Sequence, residues 1–402
     1  MGLVVQKFGG TSVADIECIR SVAGRVASAR GKGDQVIAVV SAMAGETDKL
    51  IKMADELSPE PSGREVDLLL TSGERITAAL LAITLEGLGV PAISLTGSQA
   101  GIQTEGAHTR ARVRTIQPRR IRLELEAGRV VIAAGFQGVD HLNEEQTLGR
   151  GGSDLTAVAL AAALEAGLCE IYTDVEGVFT ADPRIEPRAR LLEKISYDEM
   201  MEMASLGSKV LQSRSVDLAA KYKLQLVVRS AFGEGEGTLI TPEEPGIEAP
   251  AVNNVSCDKK QSKLTAQGVA DRPGIAASLF GNLAEKSIAV DMIVQNVSEE
   301  GLTDISITVN SDAAAEAERI MIETHASFGA RRIMRDDNVA KVSVVGIGMK
   351  SQAGVAARAF AALARDRINI QMISTSEISI SVIVVEGQAD EAIRSLHREF
   401  IA

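Results

Sequence analysis

Up to about residue 240 the chain alternates short runs rich in Val and Ile with longer helical stretches. The runs Leu3–Val5, Gln35–Val40, Pro91–Leu95, Arg129–Ala134, Glu170–Thr173 and Gln225–Arg229 predict buried strands. That rhythm is the one of an α/β domain built on a mostly parallel sheet. Four strand ends lead into loops of small and polar residues. Phe8-Gly9-Gly10-Thr11-Ser12 turns into a helix running to about Arg30, and Ser41–Lys49 precedes another. Leu148–Leu164 (LGRGGSDLTAVALAAAL) breaks from a glycine turn directly into an apolar helix, and Tyr172–Arg184 continues the strand at Glu170. Ligands of open α/β sheets gather at such strand ends. Ser196-Tyr197-Asp198-Glu199 has the form of a capping box opening a helix over Ser196–Ala204, which leads to Gly207-Ser208-Lys209.

After Ile240 the pattern changes. Thr241–Ala251 (TPEEPGIEAPA) is a Pro- and Glu-rich linker. An internal repeat follows: Gly274-Ile275-Ala276-Ala277 matches Gly354-Val355-Ala356-Ala357, Phe280 matches Phe360, and Met292-Ile293 matches Met372-Ile373, all at one spacing. The first copy predicts strand (Lys263–Val269), helix (Pro273–Lys286), strands (Ile288–Asn296, Leu302–Val309), helix (Asp312–Ser327) and strand (Ala330–Arg335). This is a βαββαβ unit of the ferredoxin-like kind. The second copy supplies only β, α, β, β, α from Lys341 to Phe400, and the strand-like segment Val252–Asp258 is expected to complete it. The division predicted is 1–240 α/β domain, 241–251 linker, 263–337 first module, and 252–262 plus 338–402 second module.

Composition narrows the chemistry. The 402 residues carry a net charge of −12 with no basic stripe, which argues against a nucleic-acid partner. Cys18, Cys169 and Cys257 are too scattered for a disulfide framework, and with His108, His141, His325 and His397 they fit no metal-ligand spacing. No metal site of protein ligands is expected. The longest apolar run, Leu155–Leu164, is too short to span a bilayer, and the N-terminus enters a strand with no leader, so a cytoplasmic protein without membrane partner is expected.

The candidate chemistry sits on the glycine corners. Arg150, Gly151, Gly152 and Ser153 join a fixed positive charge, bare amides and a hydroxyl at a helix N-terminus, a place shaped for an anion. A glycine turn merely capped by Ser153 or Asp154 is the alternative. Lys7 brings a mobile charge beside Gly9-Gly10. Glu74 can neutralise an ammonium, or serve as an acid at a helix N-terminus, and Asp154 can orient Lys7 or act as a first-turn helix acid.

These loops and the tandem repeat resemble aspartate kinase over essentially the whole chain. The resemblance rests on Val5–Ser12 (VQKFGGTS), Gly149–Asp154, Tyr172–Arg184 and the two C-terminal modules, which look like ACT domains. It implies an amino-acid-kinase three-layer α/β sandwich followed by two ACT modules. It implies transfer of the ATP γ-phosphate to the β-carboxylate of L-aspartate, the first step of lysine, threonine and methionine biosynthesis, with Mg²⁺ held mainly by the phosphates. Lys7, Phe8, Gly9 and Gly10 would hold the phosphates, with Gly45, Glu46, Thr47, Asp48 and Lys49 closing over the nucleotide. Thr173, Asp174, Phe179, Thr180, Ala181, Asp182, Pro183 and Arg184 would shape the adenosine site, with Lys209 near the phosphates. Ser41, Glu74, Arg150, Gly151, Gly152 and Ser153 would bind aspartate, while Lys7, Asp154 and Lys209 would carry the catalysis.

The same resemblance implies feedback by lysine, threonine or both, and a homo-oligomer joined through ACT modules. Effector contacts would come from Asp271, Arg272, Pro273, Gly274, Ile275, Ala276, Ala289, Val290, Asp291 and Gln295 in the first module. The second module has Ser351–Ala356, with Val355 and Ala356 in contact, and Asn369, Ile370, Ser376 and Glu377. It lacks counterparts of Asp271 and Pro273, so the two sites should differ. The competing readings are a catalytically inactive amino-acid sensor and another enzyme of the same fold, such as glutamate 5-kinase. The intact charged set disfavours the first and the tandem modules the second.

Overall fold

A computed structural model describes residues 2–208, 210–242, 250–297, 301–350 and 352–401. Lys209, Ser351 and most of the expected linker lie outside the described residues. Contacts divide the chain into two compact units. The first comprises Met1–Val178, Leu191–Ala204 and Lys209–Pro245, and the second Phe179–Arg190, Ser205–Ser208 and Gly246–Ala402.

The first unit is built on an eight-stranded sheet. Its spatial order is Lys194–Ser196, Thr238–Thr241, Leu226–Ser230, Leu168–Thr173, Leu3–Phe8, Gln35–Val40, Val130–Ala134, Ala92–Leu95. Every pairing is parallel except Leu226–Ser230 with Thr238–Thr241. Alternation along a strand sends successive side chains to opposite faces. Ala38 and Val40 thus join a buried cluster with Ile19 and Val22 of helix Ile16–Gly31 and Leu81 and Leu85 of helix Gly63–Gly87. On the opposite face, helix Gly152–Ala163 packs on the strands at Leu3–Phe8, Gln35–Val40 and Leu168–Thr173. The result is a three-layer sandwich. Because aromatics are only 3% of the chain, Val, Ile, Leu and Ala fill it.

Local signals explain the helix starts. Asp15 caps Ile16–Gly31 by accepting from Cys18 N at 2.8 Å, after a 3-10 turn at Gly10–Val13 that the sequence pattern merged with the helix. Ser196 and Glu199 form the reciprocal capping box, with Glu199 N donating to Ser196 Oγ at 3.2 Å and Ser196 N to Glu199 Oε2 at 3.3 Å. Helix Gly63–Gly87 is long and apolar enough to cross a membrane by length and composition, but half of its most apolar window is buried inside the protein. It carries buried Asp67 and Glu74, which places it as a core helix.

A small sheet of order Arg112–Ile116, Ile102–Glu105, Gln137–Val139, Glu145–Thr147 was not anticipated from the pattern. Its strands are short, and Arg112–Ile116 has no fully buried residue, so hydrophobic periodicity carries little signal there. Asp67, wholly buried, ties it to the core helix by accepting from Thr109 N at 3.0 Å and Thr147 Oγ1 at 2.5 Å.

The second unit contains a six-stranded antiparallel sheet of order Val290–Val297, Leu302–Asn310, Asn254–Ala270, Arg332–Val345, Ser379–Val385, Met372–Thr375. Two long strands belong to both repeats. Asn254–Asp258 pairs with Lys341–Val345, while Lys263–Gln267 pairs with Arg332–Asp336 further along the same two strands. Val252 and Val255 are buried in one cluster with Val342, Val382 and Leu396 of the second repeat. Segment Phe179–Arg190, expected within the catalytic stretch, also packs here: Val255 N donates to Thr180 O at 2.8 Å, Asn254 Nδ2 to Phe179 O at 2.9 Å, and Ala181 is buried in that same cluster.

Candidate active site

Strand Leu3–Phe8 lies at the middle of the large sheet and ends in Gly9, whose N–H donates to Tyr172 O at 3.2 Å. Lys7 and Asp154 are both nearly buried, and Lys7 Nζ stands 2.6 Å from Asp154 Oδ1. Asp154 sits in the first turn of helix Gly152–Ala163, so it has the helix-start position and the lysine partner together. Removing either member of a buried ion pair would leave the other charge buried and uncompensated. The pair therefore holds the ammonium next to the glycine turn, where a Cβ on Gly9 would lie 3.3 Å from Lys7 Nζ. Phe8 stacks on Tyr172 with ring centroids 4.9 Å apart, and Arg25 lies over the Tyr172 ring. Burial, with Glu170 beside it, pushes the Tyr172 phenol up to about 12, so that ring stays neutral.

The second corner is Leu148–Asp154. Gly151, at φ 70°, is the N-cap of the helix, and neither Ser153 nor Asp154 caps it by side chain. Gly152 N donates to Gly149 O at 3.0 Å, which closes the turn. Arg150 is exposed, with no ion-pair partner among the described residues. Thr156 Oγ1 accepts from Phe136 N at 3.1 Å and donates to Gly152 O at 2.9 Å, fastening the corner to the end of strand Val130–Ala134. Phe136 itself takes φ 68°, a conformation non-glycine residues rarely adopt.

Glu74 approaches from helix Gly63–Gly87. It stands in the middle of that helix, so the helix-start alternative does not apply. Its Oε1 accepts from Ala42 N at 3.1 Å, next to Ser41. Its Oε2 is buried without a partner among the described residues. Burial raises its pKa to about 7, against the lowering effect of the Ala42 N–H. Such a carboxyl is poised to ionise when a cation arrives. Ser41 N donates to Phe8 O at 3.1 Å, so the Ser41 loop and the Lys7 strand end side by side. Gly45 then caps helix Glu46–Leu57, where Lys49 bonds Glu46 at 3.1 Å; Thr47 and Asp48 lie in its first turn.

Thr173 and Asp174 end the strand beside Phe8, and Thr173 Oγ1 donates to Asp174 Oδ1 at 3.2 Å. The rest of the expected adenosine segment falls in the second unit. There Thr180 Oγ1 lies 2.9 Å from His397 Nε2, and Arg184 pairs with Asp182 at 2.7 Å, with Pro183 exposed between them. Sequence reasoning passed over Ser12, whose buried Oγ has no partner among the described residues near Gly9, and Phe136, Thr156, Gln212 and Arg214 around the second corner. Ser12 was legible as part of the glycine turn. The others carry no motif signal.

In the second unit, Asp271–Gly274 form an exposed corner before helix Ile275–Glu285, which begins with Ile275 and Ala276. Ala289 precedes the edge strand holding Val290, Asp291 and Gln295. Asp291 pairs with the buried ammonium of Lys341. Val355 and Ala356 open helix Val355–Arg365, Asn369 and Ile370 precede strand Met372–Thr375, and Ser376–Glu377 lie in the turn after it.

The amino acid kinase family matches residues 2–230, and the ACT domain matches 264–324 and 342–400. An aspartokinase of Pseudomonas aeruginosa is 52% identical over all of this chain and 98% of its own length. One from Helicobacter pylori is 50% identical over 98% of each chain. The crystal structure of E. coli aspartokinase III in complex with aspartate and ADP, called the R-state, matches with a TM-score of 0.85 at 26% identity, covering all of both chains. The same enzyme with lysine and aspartate, the T-state, gives 0.80. A glycine-cornered α/β unit with a lysine–aspartate pair, followed by paired ACT modules and matched end to end by such relatives, leaves one assignment: the chain belongs to the aspartokinase family.

Proposed function

We propose that this aspartokinase transfers the γ-phosphate of ATP to the β-carboxylate of L-aspartate, and that lysine, threonine or both restrain it through the ACT modules. The observation that carries the reading is the pairing of Lys7 with Asp154 beside the Arg150 corner, with Glu74 of helix Gly63–Gly87 bonded to Ala42 N next to Ser41. Aspartate offers two carboxylates and an ammonium. Arg150 and the corner amides suit its α-carboxylate, and Glu74 its ammonium. The β-carboxylate attacks the γ-phosphorus while the bond to the bridging oxygen breaks, and ADP leaves with that electron pair. No proton moves from the nucleophile, which is already ionised at neutral pH. The protein's work is alignment and charge: Lys7 neutralises the phosphates, and the Gly9-Gly10 turn lets them approach the backbone. Lys209, three residues before Gln212, would add a second cation.

Mg²⁺ would accompany ATP. Among the described residues no group of three His, Cys, Asp or Glu could hold a metal by itself, so the phosphates would be its main ligands, with Asp154 or Asp174 reaching it through water. The effector sites would lie at the Asp271–Ala276 corner with Asp291 and Gln295, and at Val355–Ala356 with Asn369 and Glu377. The T-state relative in complex with lysine and aspartate supports lysine as an effector. Assembly through ACT modules belongs to the same proposal.

The test is ATP-dependent formation of an acyl phosphate, trapped with hydroxylamine, from aspartate and from glutamate as control. Lysine and threonine are added singly and together. Product from aspartate alone, with inhibition by at least one effector, is expected. Turnover of glutamate in preference to aspartate refutes the substrate assignment, and indifference to both effectors refutes the regulation.

A further inference from the structure

The segment that follows Lys209 reaches back to the Arg150 corner. Gln212 is the N-cap residue of helix Ser213–Tyr222, and its Nε2 donates to Arg150 O. Arg214, in the first turn of that helix, donates from Nη1 to Leu148 O at 2.8 Å and from Nη2 to Ala111 O at 3.3 Å. Two neighbouring side chains thus grip carbonyls on both sides of Gly149. The helix stays in place against helix Gly152–Ala163, and Leu218 packs on the cluster of Ala111, Leu148 and Leu155.

The chemistry of this grip is unusual. Burial, with Arg112 nearby, holds the Arg214 guanidinium below its ordinary value, yet its hydrogen bonds among the described residues go to carbonyl oxygens and to no carboxylate. A part-buried charge without a counter-ion needs other acceptors, and Arg214 finds them in one carbonyl of the turn, Leu148 O, and in Ala111 O beside it. Gln212 has its Oε1 buried and unpartnered, so the amide is oriented by what its nitrogen does. The Cβ, Cγ and Cδ of Gln212 also fill the space a side chain on Gly151 would need, the nearest being 2.7 Å away.

We propose that Gln212 and Arg214 are positioning residues for aspartate. They touch no substrate and act through the main chain of the corner. A trans peptide is planar, so the carbonyl of Arg150 and the N–H of Gly151 point in opposite directions. Tying the carbonyl to Gln212 aims the Gly151 amide away from helix Ser213–Tyr222. Gripping Leu148 O sets the other end of the turn. Between these anchors the Arg150 side chain and the Gly151 amide keep one orientation toward the α-carboxylate, and the entropy of aligning them is removed before substrate arrives.

This inference rests on the assignment of Arg150 to aspartate, and the experiment separates the two. Full-length protein carrying R150A, Q212M, R214K or no change is assayed with aspartate varied at saturating ATP, and then with ATP varied. Melting temperatures are taken in parallel. Q212M keeps the volume against Gly151 and removes the donor. It should raise the aspartate KM about tenfold while the ATP KM stays within about twofold. R214K, which can reach one carbonyl where Arg214 reaches two, should give a smaller rise in the same parameter. An unchanged aspartate KM in Q212M and R214K, with a raised one in R150A, overturns the positioning role and leaves the corner assigned. An unchanged KM in R150A overturns the corner itself. A fall in kcat and melting temperature with both KM values unmoved marks Gln212 and Arg214 as structural only, which also overturns the proposal.

Discussion

Each unit of this protein starts two helices behind a glycine in the left-handed region. Gly45 and Gly151 do so in the first unit, at φ 77° and 70°, and Gly274 and Gly354 in the second, at 94° and 88°. The surroundings differ at the corners that matter for ligands. Gly151 is walled in by Gln212, whereas a side chain at Gly45 in the same unit, or at Gly274 or Gly354 in the other, would meet nothing within 4 Å. One local rule supplies exposed amides in both units. The neighbours decide whether such a corner is backed by a packed side chain or stands open.

Two buried titratable groups, one in each unit, shift in opposite directions. Burial raises Glu74 in the first unit to about 7 and lowers His397 in the second. Each has one atom without a partner among the described residues, Glu74 Oε2 and His397 Nδ1. In each case desolvation favours the neutral form. Glu74, raised to about 7, is held partly neutral, and a cation beside it would favour its ionised form. His397 is neutral as part of the packing around Thr180, which also accepts from Arg190 N at 2.9 Å.

The contrast can be broken most decisively at Lys7. Lys7→Ala should lower kcat by about 10²–10³-fold with little change in aspartate KM. Turnover equal to the parent's would take Lys7 out of the mechanism. Next in size is a matched pair of corner substitutions. Gly151→Ala adds a clash to the strained φ and should cut kcat/KM for aspartate by more than about tenfold. Gly274→Ala carries only the backbone penalty of about 1–2 kcal/mol, read as a lower melting temperature and an altered effector response. Equal losses of turnover in the two variants would erase the difference between walled and open corners.

Smaller effects come from pH. On the role proposed for Glu74, the aspartate KM should rise about tenfold per pH unit below about 7, and Glu74→Gln should flatten that profile. A raised carboxyl also gives stability that is complete below its ordinary value of 4.5 and is lost as pH rises through 7, so the same variant should be less destabilised at pH 8. The smallest shift belongs to His397. Its value lies below the ordinary 6.5, so its stabilisation is present above 6.5 and is lost as pH falls. Melting curves at pH 7.5 and 5.5 should fall apart by roughly 2–4 °C for each kcal/mol at stake. His397→Asn should narrow the gap, and a gap of the same width in that variant would refute the assignment.

Much of the architecture was legible because its signals are local. The Val- and Ile-rich runs became the central strands, Ser196 and Glu199 met as a capping box, and the matched Gly274 and Gly354 became helix N-caps of two similar modules. The strand break lies elsewhere than the pattern suggested: Asn254–Asp258 and Lys263–Val269 run on as one strand, with register shifts between Asp258 and Lys263 in place of a turn. The small sheet was missed, since strands of three to five residues are too short to show a periodicity.

By itself the amino-acid order determined where helices begin, which runs are strands, which glycines turn corners and which charges sit on them, because each depends on residues a few positions apart. Only the tertiary structure decided that Asp154 meets Lys7, that Glu74 lies in mid-helix with a pKa near 7, that Phe179–Arg190 packs beside strand Asn254–Ala270, and that Gln212 closes the corner from behind. Those facts depend on desolvation and on contacts between segments tens to hundreds of residues apart, and no local pattern encodes which distant side chain removes water from a given group.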